Sequence, residues 1–468
     1  MSVLHESRLT LRLAVPLMIG QLSQMLLGVA DTVMVGRLGV IELAALTFAN
    51  ALFFVPFIFG VGLLTSVSVI TSNARGAGDA ARARASCRHG LFIATALGLL
   101  ILGISWLISL NLELFGQPPE VAARTPVFFL VIMASVIPGL MSMALKNHAD
   151  ALNRPWPPFW IFLGGVLLNI LLNWLMIYGI WVFPEMGFEG AAWATLIART
   201  AILAAMFVWL THARDMREWV PFHWLRAPDF SEIRRLLAIG FPASLQMICE
   251  VGAFSAAGLM MGHFGKTSMA AHQIAITCAG TAFMIPLGLS MSLTVRVGQV
   301  LGSGEIPRLR PIVLSGWGLC TLYGVMAASF FLFFGSHVAS LFIKPTDAAE
   351  VITLGAGLLF IVGIFQLFDS LQVASSAMLR GLQDVRLPAL MGFVAYWIIG
   401  LPVAGTLSIG MKWGAAGVWW GLAAGLFVAS IALGARLWSR HRSAGVHTGS
   451  WRKGEKCRVI GDPKSTII

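Results

Sequence analysis

Long apolar runs separated by short polar connections organise this chain. Twelve such runs lie near 13–35, 44–71, 89–110, 125–145, 157–182, 190–211, 236–261, 269–298, 312–342, 351–378, 388–409 and 414–435. Each reaches the roughly 20 residues that carry an α-helix across a bilayer. None shows the alternating pattern of about 10 residues that marks a transmembrane strand. The pattern predicts an all-α polytopic membrane protein with twelve transmembrane helices. The longest connection, 212–235, divides them into an N-lobe (13–211) and a C-lobe (236–438) of six helices each, flanked by a short segment, 1–12, and a polar tail, 439–468, expected to be disordered.

The two halves repeat one another. Ala14-Val15-Pro16 matches Gly240-Phe241-Pro242, and Met34-Val35-Gly36-Arg37-Leu38-Gly39 matches Met260-Met261-Gly262-His263-Phe264-Gly265, both at an offset of 226 residues. Gly76-x-Gly78-Asp79 matches Gly302-x-Gly304-Glu305 at the same offset, and Phe53-x-x-Pro56 matches Phe283-x-x-Pro286 at 230. Six helices per copy is an even number, so both copies insert the same way up. Such parallel repeats are related by an axis along the membrane normal, with the substrate site near the interface between the halves. Prolines inside the runs (Pro16, Pro56, Pro138, Pro242, Pro286, Pro402) are expected to bend or break helices, and serve equally as hinges or as ordinary bends.

Composition agrees with the pattern: 57% of the 468 residues are hydrophobic and 11% charged, against about 25% charged in a soluble domain. The basic residues then choose an orientation. Arg37, Arg124, Lys266, Lys344 and Lys412 fall on one side and Arg199 inside a run; the other 26 of the 32 Lys and Arg share the side that holds both termini and the 212–235 connection. Short basic loops stay cytoplasmic, so both termini are expected inside a bacterial inner membrane. The formal net charge of +11 is then explained by topology and contact with anionic lipid, not by nucleic acid. The five cysteines are scattered and read as small hydrophobes. The 1–12 segment is short and polar and carries no cleavable leader pattern.

Against this background Asp31, Glu250 and Asp369 stand alone inside apolar runs. An acid at bilayer depth costs about 2.5–3.5 kcal/mol on insertion scales and usually faces a bundle interior or an aqueous cavity. Arg199 is the one Lys or Arg well inside a run, so at least two of the acids are expected to be protonated or paired with something transient. Carried along the repeat, Asp31 corresponds to Ala257 and Glu250 to Gln24, so each half carries its own chemistry. Asn169 and Asn173, four residues apart, share a helix face. With Asp31 and Thr195 they offer oxygens that suit a small cation; the asparagines equally suit hydrogen bonds across helices. Gln366 and Gln372 flank Asp369, while His272 and Gln273 open the eighth run. No Walker A loop, no HExxH motif and no nucleophile–base arrangement supports an ATPase or a hydrolase.

Several ordered motifs resemble the MATE (multidrug and toxic compound extrusion) transporters, NorM-like branch. They are Ala30-Asp31-Thr32-Val33-Met34-Val35-Gly36-Arg37-Leu38-Gly39; Asn169-x-x-x-Asn173-x-x-x-x-Tyr178-Gly179; Ala270-Ala271-His272-Gln273; Val295-Arg296-Val297-Gly298; and Leu379-Arg380-Gly381 with Asp384 and Pro388. The resemblance runs from about residue 10 to 438. It implies two six-helix lobes in a V around a central cavity, and export of organic, often cationic compounds by antiport with Na+ or H+. It further implies an N-lobe cation or proton site at Asp31, Asn169, Asn173 and Thr195. The C-lobe cation and substrate site would comprise Glu250, Asp369, Gln273 and Gln366. Na+ would then sit at Glu250, Asp369 or Asp31, with no cofactor beyond the coupling ion, in a monomer surrounded by lipid. A lipid-linked oligosaccharide flippase is the alternative, but its cavity needs several basic residues for a pyrophosphate, and only Arg199 is in place. A channel or a membrane-embedded transferase fits less well: the lobes carry unequal acids, and the three acids lie in separate helices.

Overall fold

Helix breaks in this chain fall where the sequence withholds a backbone hydrogen bond. The computed structural model describes residues 2–447 apart from 182, 225 and 343–348, and among them every regular element is helical. The N-lobe comprises α1 (Val3–Gly36), α2 (Val40–Ala77), α3 (Ala80–Ser109), α4 (Pro119–Ala134), α5 (Val136–Ala151), α6 (Trp156–Ile177) and α7 (Gly187–His212). The C-lobe comprises α8 (Phe230–Met261), α9 (Gly265–Ser303), α10 (Leu309–Ser340), α11 (Ala349–Gly381), α12 (Arg386–Phe393), α13 (Leu401–Gly405) and α14 (Gly414–His447).

Helices α4 and α5 are one crossing broken at Ser135. Pro138 has no N–H to give the Ala134 carbonyl, and its ring crowds that carbonyl. Pro402 does the same to Ile398. Around it the helix widens into π turns over Val394–Gly400 and Thr406–Gly410, on either side of α13. Pro16, Pro56, Pro242 and Pro286 instead sit within unbroken helices. Eleven helical stretches are long and apolar enough to cross a membrane. One of them, Phe230–Ser303, has 74 residues, or about 110 Å of helix against a hydrocarbon core of about 30 Å. A tight turn over Gly262–Phe264 splits it into two crossings, α8 and α9, which gives the twelve expected.

The helices run further than the apolar runs, and this corrects one expectation. Arg199 is not the one basic group held within them. Lys146 lies buried in α5 and bonds Asp150 at 2.7 Å, and Arg296 lies buried in α9 and pairs with Glu6 of α1. Each of these charges carries its partner with it, which is what permits burial. The tail is corrected in part as well: α14 continues through His447, so the chain is helical past 439. Residues 448–468 lie outside the described residues, as does Lys344.

The repeat is visible in how the lobes meet. Gly62 of α2 approaches Ser244 of α8 so closely that a Cβ would fall 2.6 Å from the Ser244 Cα; 226 residues on, Gly288 approaches Met18, with 2.6 Å to its Cα. Met18 and Ser244 are themselves 226 apart. Likewise a Cβ at Gly76 would collide with the Gln299 carbonyl, and one at Gly302 with the Asn73 carbonyl. Ser72 meets Gly298, its own repeat partner. The pseudo-two-fold axis therefore passes through this contact. Side-chain hydrogen bonds repeat the theme: Ser244 Oγ donates to the Phe59 carbonyl at 2.8 Å, and Gln299 Nε2 donates to the Ala151 carbonyl at 2.9 Å.

One part of the seam is not symmetric. Glu6 pairs with Arg296 and, at 3.3 Å, with Arg308 of the C-lobe, and Arg296 also bonds Thr10. The repeat partner of Arg296 is Ile70, which cannot do the same. Side-chain hydrogen bonds and ion pairs between the lobes are made by the N-lobe residues Glu6, Ser7, Thr10, Phe59, Ala151 and Asn153. These lie from mid-α2 to the membrane side that holds the N-terminus. The bonds that join the lobes gather toward that side.

Because the seam depends on glycine, Gly302→Val should push it open. Overpacking of this kind costs about 1–3 kcal/mol, here charged against the joined state. Spin labels at the exposed positions Arg217 and Arg310 should read longer distances in the variant than in the parent protein; an unchanged distribution would show that the seam tolerates the added bulk.

Candidate functional site

Asp31 sits near the far end of α1, opposite α6. Asn173 Nδ2 donates to Asp31 Oδ1 at 2.5 Å and to Asn169 Oδ1 at 3.0 Å, and Asn169 Nδ2 donates to Thr195 Oγ1 at 3.1 Å. Thr195 in turn donates to the Ala191 carbonyl at 3.0 Å. The four residues expected together thus form one continuous hydrogen-bonded chain across α1, α6 and α7. Asn173 alone donates to the carboxylate; the remaining bonds run the other way, from Asn173 through Asn169 and Thr195 to the Ala191 carbonyl. Asn169, Asn173 and Thr195 are buried, and Asn173 Oδ1 has no partner of its own. The four-residue spacing of Asn169 and Asn173 is what stacks the two amides into one row. Tyr178 OH donates to the Met34 carbonyl at 3.4 Å and pins the far ends of α1 and α6 together.

Arg199 of α7 stands behind this row. Its guanidinium lies 5.0 and 5.1 Å from the ring centres of Phe53 and Phe57 and donates to Ser135 Oγ at 2.9 Å. It acts on Asp31 electrostatically, without an ion pair. The Ser135 hydroxyl accepts this bond while donating to the Ile132 carbonyl at 2.6 Å. The N-lobe acid therefore has a resident counter-charge held by aromatic faces.

The C-lobe is built differently. Glu250 of α8 and Asp369 of α11 lie within electrostatic reach of each other. Asp369 is 3% exposed, and its Oδ1 has no hydrogen-bond partner. On the same helix, Gln366 Nε2 donates to the Ala279 carbonyl at 2.8 Å, which leaves its Oε1 free. Gln372 Oε1 and the Tyr396 hydroxyl are also buried without partners. Native interiors leave few such groups, since each costs about 1–3 kcal/mol unsatisfied. One positive group, Arg380 at the end of α11, lies in electrostatic reach of Glu250. Two carboxylates against one guanidinium leave room for one more positive charge.

None of Asp31, Glu250 and Asp369 forms an ion pair among the described residues. The structure brings Glu250, Asp369 and Gln366 into one region. Gln273 is exposed, and its amide bonds Thr277 on its own helix at 3.4 Å. Sequence reasoning missed Tyr396, and it left Arg380 in a connecting loop because hydropathy falls before the helix ends. A signal for Tyr396 existed: the chain has 3 tyrosines against 30 phenylalanines, so each hydroxyl in an apolar run asks for a reason.

The sequence profile of the MatE family matches residues 16–175 and 242–406, one segment in each lobe. A probable multidrug resistance protein NorM from Agrobacterium fabrum is 34% identical over 429 residues, covering 91% of this chain and 92% of the relative. The protein of the same description from Pseudomonas aeruginosa is 34% identical over 464 residues, 98% of this chain and 94% of the relative. Among solved structures, the eukaryotic MATE transporter AtDTX14 superposes with a TM-score of 0.84 at 20% identity, over 94% of this chain and 98% of that one. An outward-facing multidrug resistance MATE transporter of the MOP superfamily gives 0.85 at 22%, over 94% and 96%. At those identities the structures speak for the fold alone. With relatives a third identical along nearly its whole length and a profile match in both lobes, this chain belongs to the MatE family, in its NorM-like branch.

Proposed function

We propose that this protein exports organic, mostly cationic compounds from the bacterial cytoplasm by antiport with Na+ or H+. In this reading both termini are cytoplasmic, and the joined side of the lobes is the closed inner gate, so the conformation is outward-open. The observation that carries the reading is the charge count in the C-lobe. Glu250 and Asp369, with Arg380, can accept one further positive charge, and a coupling ion and an organic cation would compete for it. Binding of the ion in the outward-open state displaces substrate; substrate binding in the inward-open state displaces the ion. An ion biases the two states only by its differential affinity for them, and an acid pair whose surroundings change with the angle between the lobes supplies that difference.

Asp31 has Arg199 as a standing counter-charge and accepts a hydrogen bond from Asn173, whose amide Asn169 holds in place. This arrangement suits a proton or a structural signal better than a second metal ion. The flippase reading is not favoured, since two of the basic residues buried within the helices are already engaged, Lys146 with Asp150 and Arg296 with Glu6. The curated relatives are multidrug resistance proteins, which supports transport rather than an enzyme.

Uptake of a fluorescent organic cation into proteoliposomes, with Na+ high inside and a proton ionophore present, tests the proposal. Wild type should accumulate the dye and Glu250→Gln should not. If ionophore stops uptake whatever the Na+ gradient, protons drive the exchange. No uptake with either gradient, across several cations, would contradict drug export. Asp31→Asn keeps the shape of the hydrogen-bonded row but removes its charge. Loss of a charged hydrogen bond of this kind corresponds to about a tenfold effect or more, so its uptake should fall at least that far with thermal stability kept; full activity would make Asp31 purely structural.

A further inference from the structure

We infer that the hydroxyl of Tyr396 is a third protein ligand, beside Glu250 and Asp369, for the coupling cation in the C-lobe. The inference rests on the antiport reading above and names an oxygen that the reading does not require.

Of the chain's 3 tyrosines, two have an evident task. Tyr178 OH donates to the Met34 carbonyl at 3.4 Å, and Tyr323 OH donates to the Ala282 carbonyl at 2.5 Å. Tyr396 is 1% exposed, and its hydroxyl has no partner. Phenylalanine, used ten times as often here, would fill the same space without burying an unsatisfied hydroxyl. The ring alone therefore does not account for the tyrosine.

The backbone is shaped to deliver this side chain. Tyr396 lies in the π turn Val394–Gly400, where the helix widens ahead of Pro402. The next residue, Trp397, donates its indole N–H to the Cys249 carbonyl at 2.9 Å. That bond holds the π turn in register against the residue that precedes Glu250. Tyr396 then faces the Glu250 carboxyl, close enough to interact with it though no hydrogen bond is completed. Its ring shares an apolar cluster with Ala253, Phe365 and Trp419, which walls this corner from lipid. At the offset of 230 that carries Pro158 onto Pro388, Tyr396 corresponds to Val166, which lies in the regular helix α6. The N-lobe thus has neither the hydroxyl nor the π turn that places it.

The unpartnered atoms of Asp369, Gln366 and Tyr396 are oxygens, Asp369 Oδ1, Gln366 Oε1 and Tyr396 OH, while the unpartnered indole Nε1 of Trp419 belongs to the surrounding apolar wall. Hard oxygen donors suit a small cation such as Na+. A bulky organic cation could engage the partly exposed Glu250 but not a hydroxyl buried to 1%. Tyr396 would therefore separate the two competitors, favouring the small ion over the organic one.

The test is binding of radioactive Na+ and of a fluorescent organic cation to purified protein in nanodiscs, for wild type, Tyr396→Phe and Glu250→Gln. Tyr396→Phe should raise the Na+ Kd about tenfold, as for one hydrogen bond to a charged group. Its organic-cation Kd without Na+ and its melting temperature should stay at wild-type values. Unchanged Na+ affinity in Tyr396→Phe, with Na+ binding lost in Glu250→Gln, overturns this inference and leaves the antiport reading standing. Equal weakening of both ligands also overturns it, since that is the signature of a merely structural role. Absence of Na+ binding in wild type overturns it together with Na+ coupling.

Discussion

A carboxylate carried into a membrane must be matched by positive charge, and most of this structure can be read as the ways that requirement is met. Glu6 and Asp150 are matched permanently, by Arg296 and Lys146. Asp31 is matched at a distance by Arg199, with the Asn173 amide donating to it directly. Glu250 and Asp369 are matched by half, through Arg380. The groups with a permanent partner hold the fold together, and the pair left short of one charge is where exchange can occur. A fully compensated site would have no reason to bind a travelling cation. A fully uncompensated one would cost more than a marginally stable protein can bear.

The seam between the lobes gives that exchange a geometry. It is built from backbone approaching backbone at glycines on both sides of a pseudo-two-fold axis, with few long side chains to disentangle. Such a contact can separate and re-form without repacking a core. The one asymmetric element, the Glu6–Arg296–Arg308 cluster, lies on one flank only. Opening on the terminal side therefore has to break charge pairs at one place and neutral hydrogen bonds and van der Waals contacts elsewhere, which concentrates the barrier where the N-terminal turns of α1 lie against α9 and α10.

Much of this was legible in the amino-acid order. Apolar runs located the crossings, and offsets of 226 and 230 residues revealed the repeat that the seam later displays pair by pair. Asp31, Asn169, Asn173 and Thr195 were grouped by residue type, by spacing and by a family resemblance, and they do form one chain of hydrogen bonds. What hydropathy could not show was where helices outlast their apolar stretch. Lys146, Asp150 and Arg296 were assigned to polar connections, yet lie buried within helices, because a charge that brings its partner need not leave the bundle; Arg380, assigned likewise, lies half-buried in the last turn of α11. The π turns around Pro402 were also invisible, since proline announces a disturbed helix but not the direction in which the chain resolves it.

The central claim is that the C-lobe holds one exchangeable positive charge at a time. Its most direct test is the affinity of the purified protein for a fluorescent organic cation, measured across a grid of Na+ concentration and pH. The account predicts competition: organic-cation affinity falls as Na+ rises or as pH falls, whichever ion couples, and this dependence vanishes in Asp369→Asn. Affinity indifferent to both ions in the wild type would mean that ion and substrate are bound together, and would contradict the account.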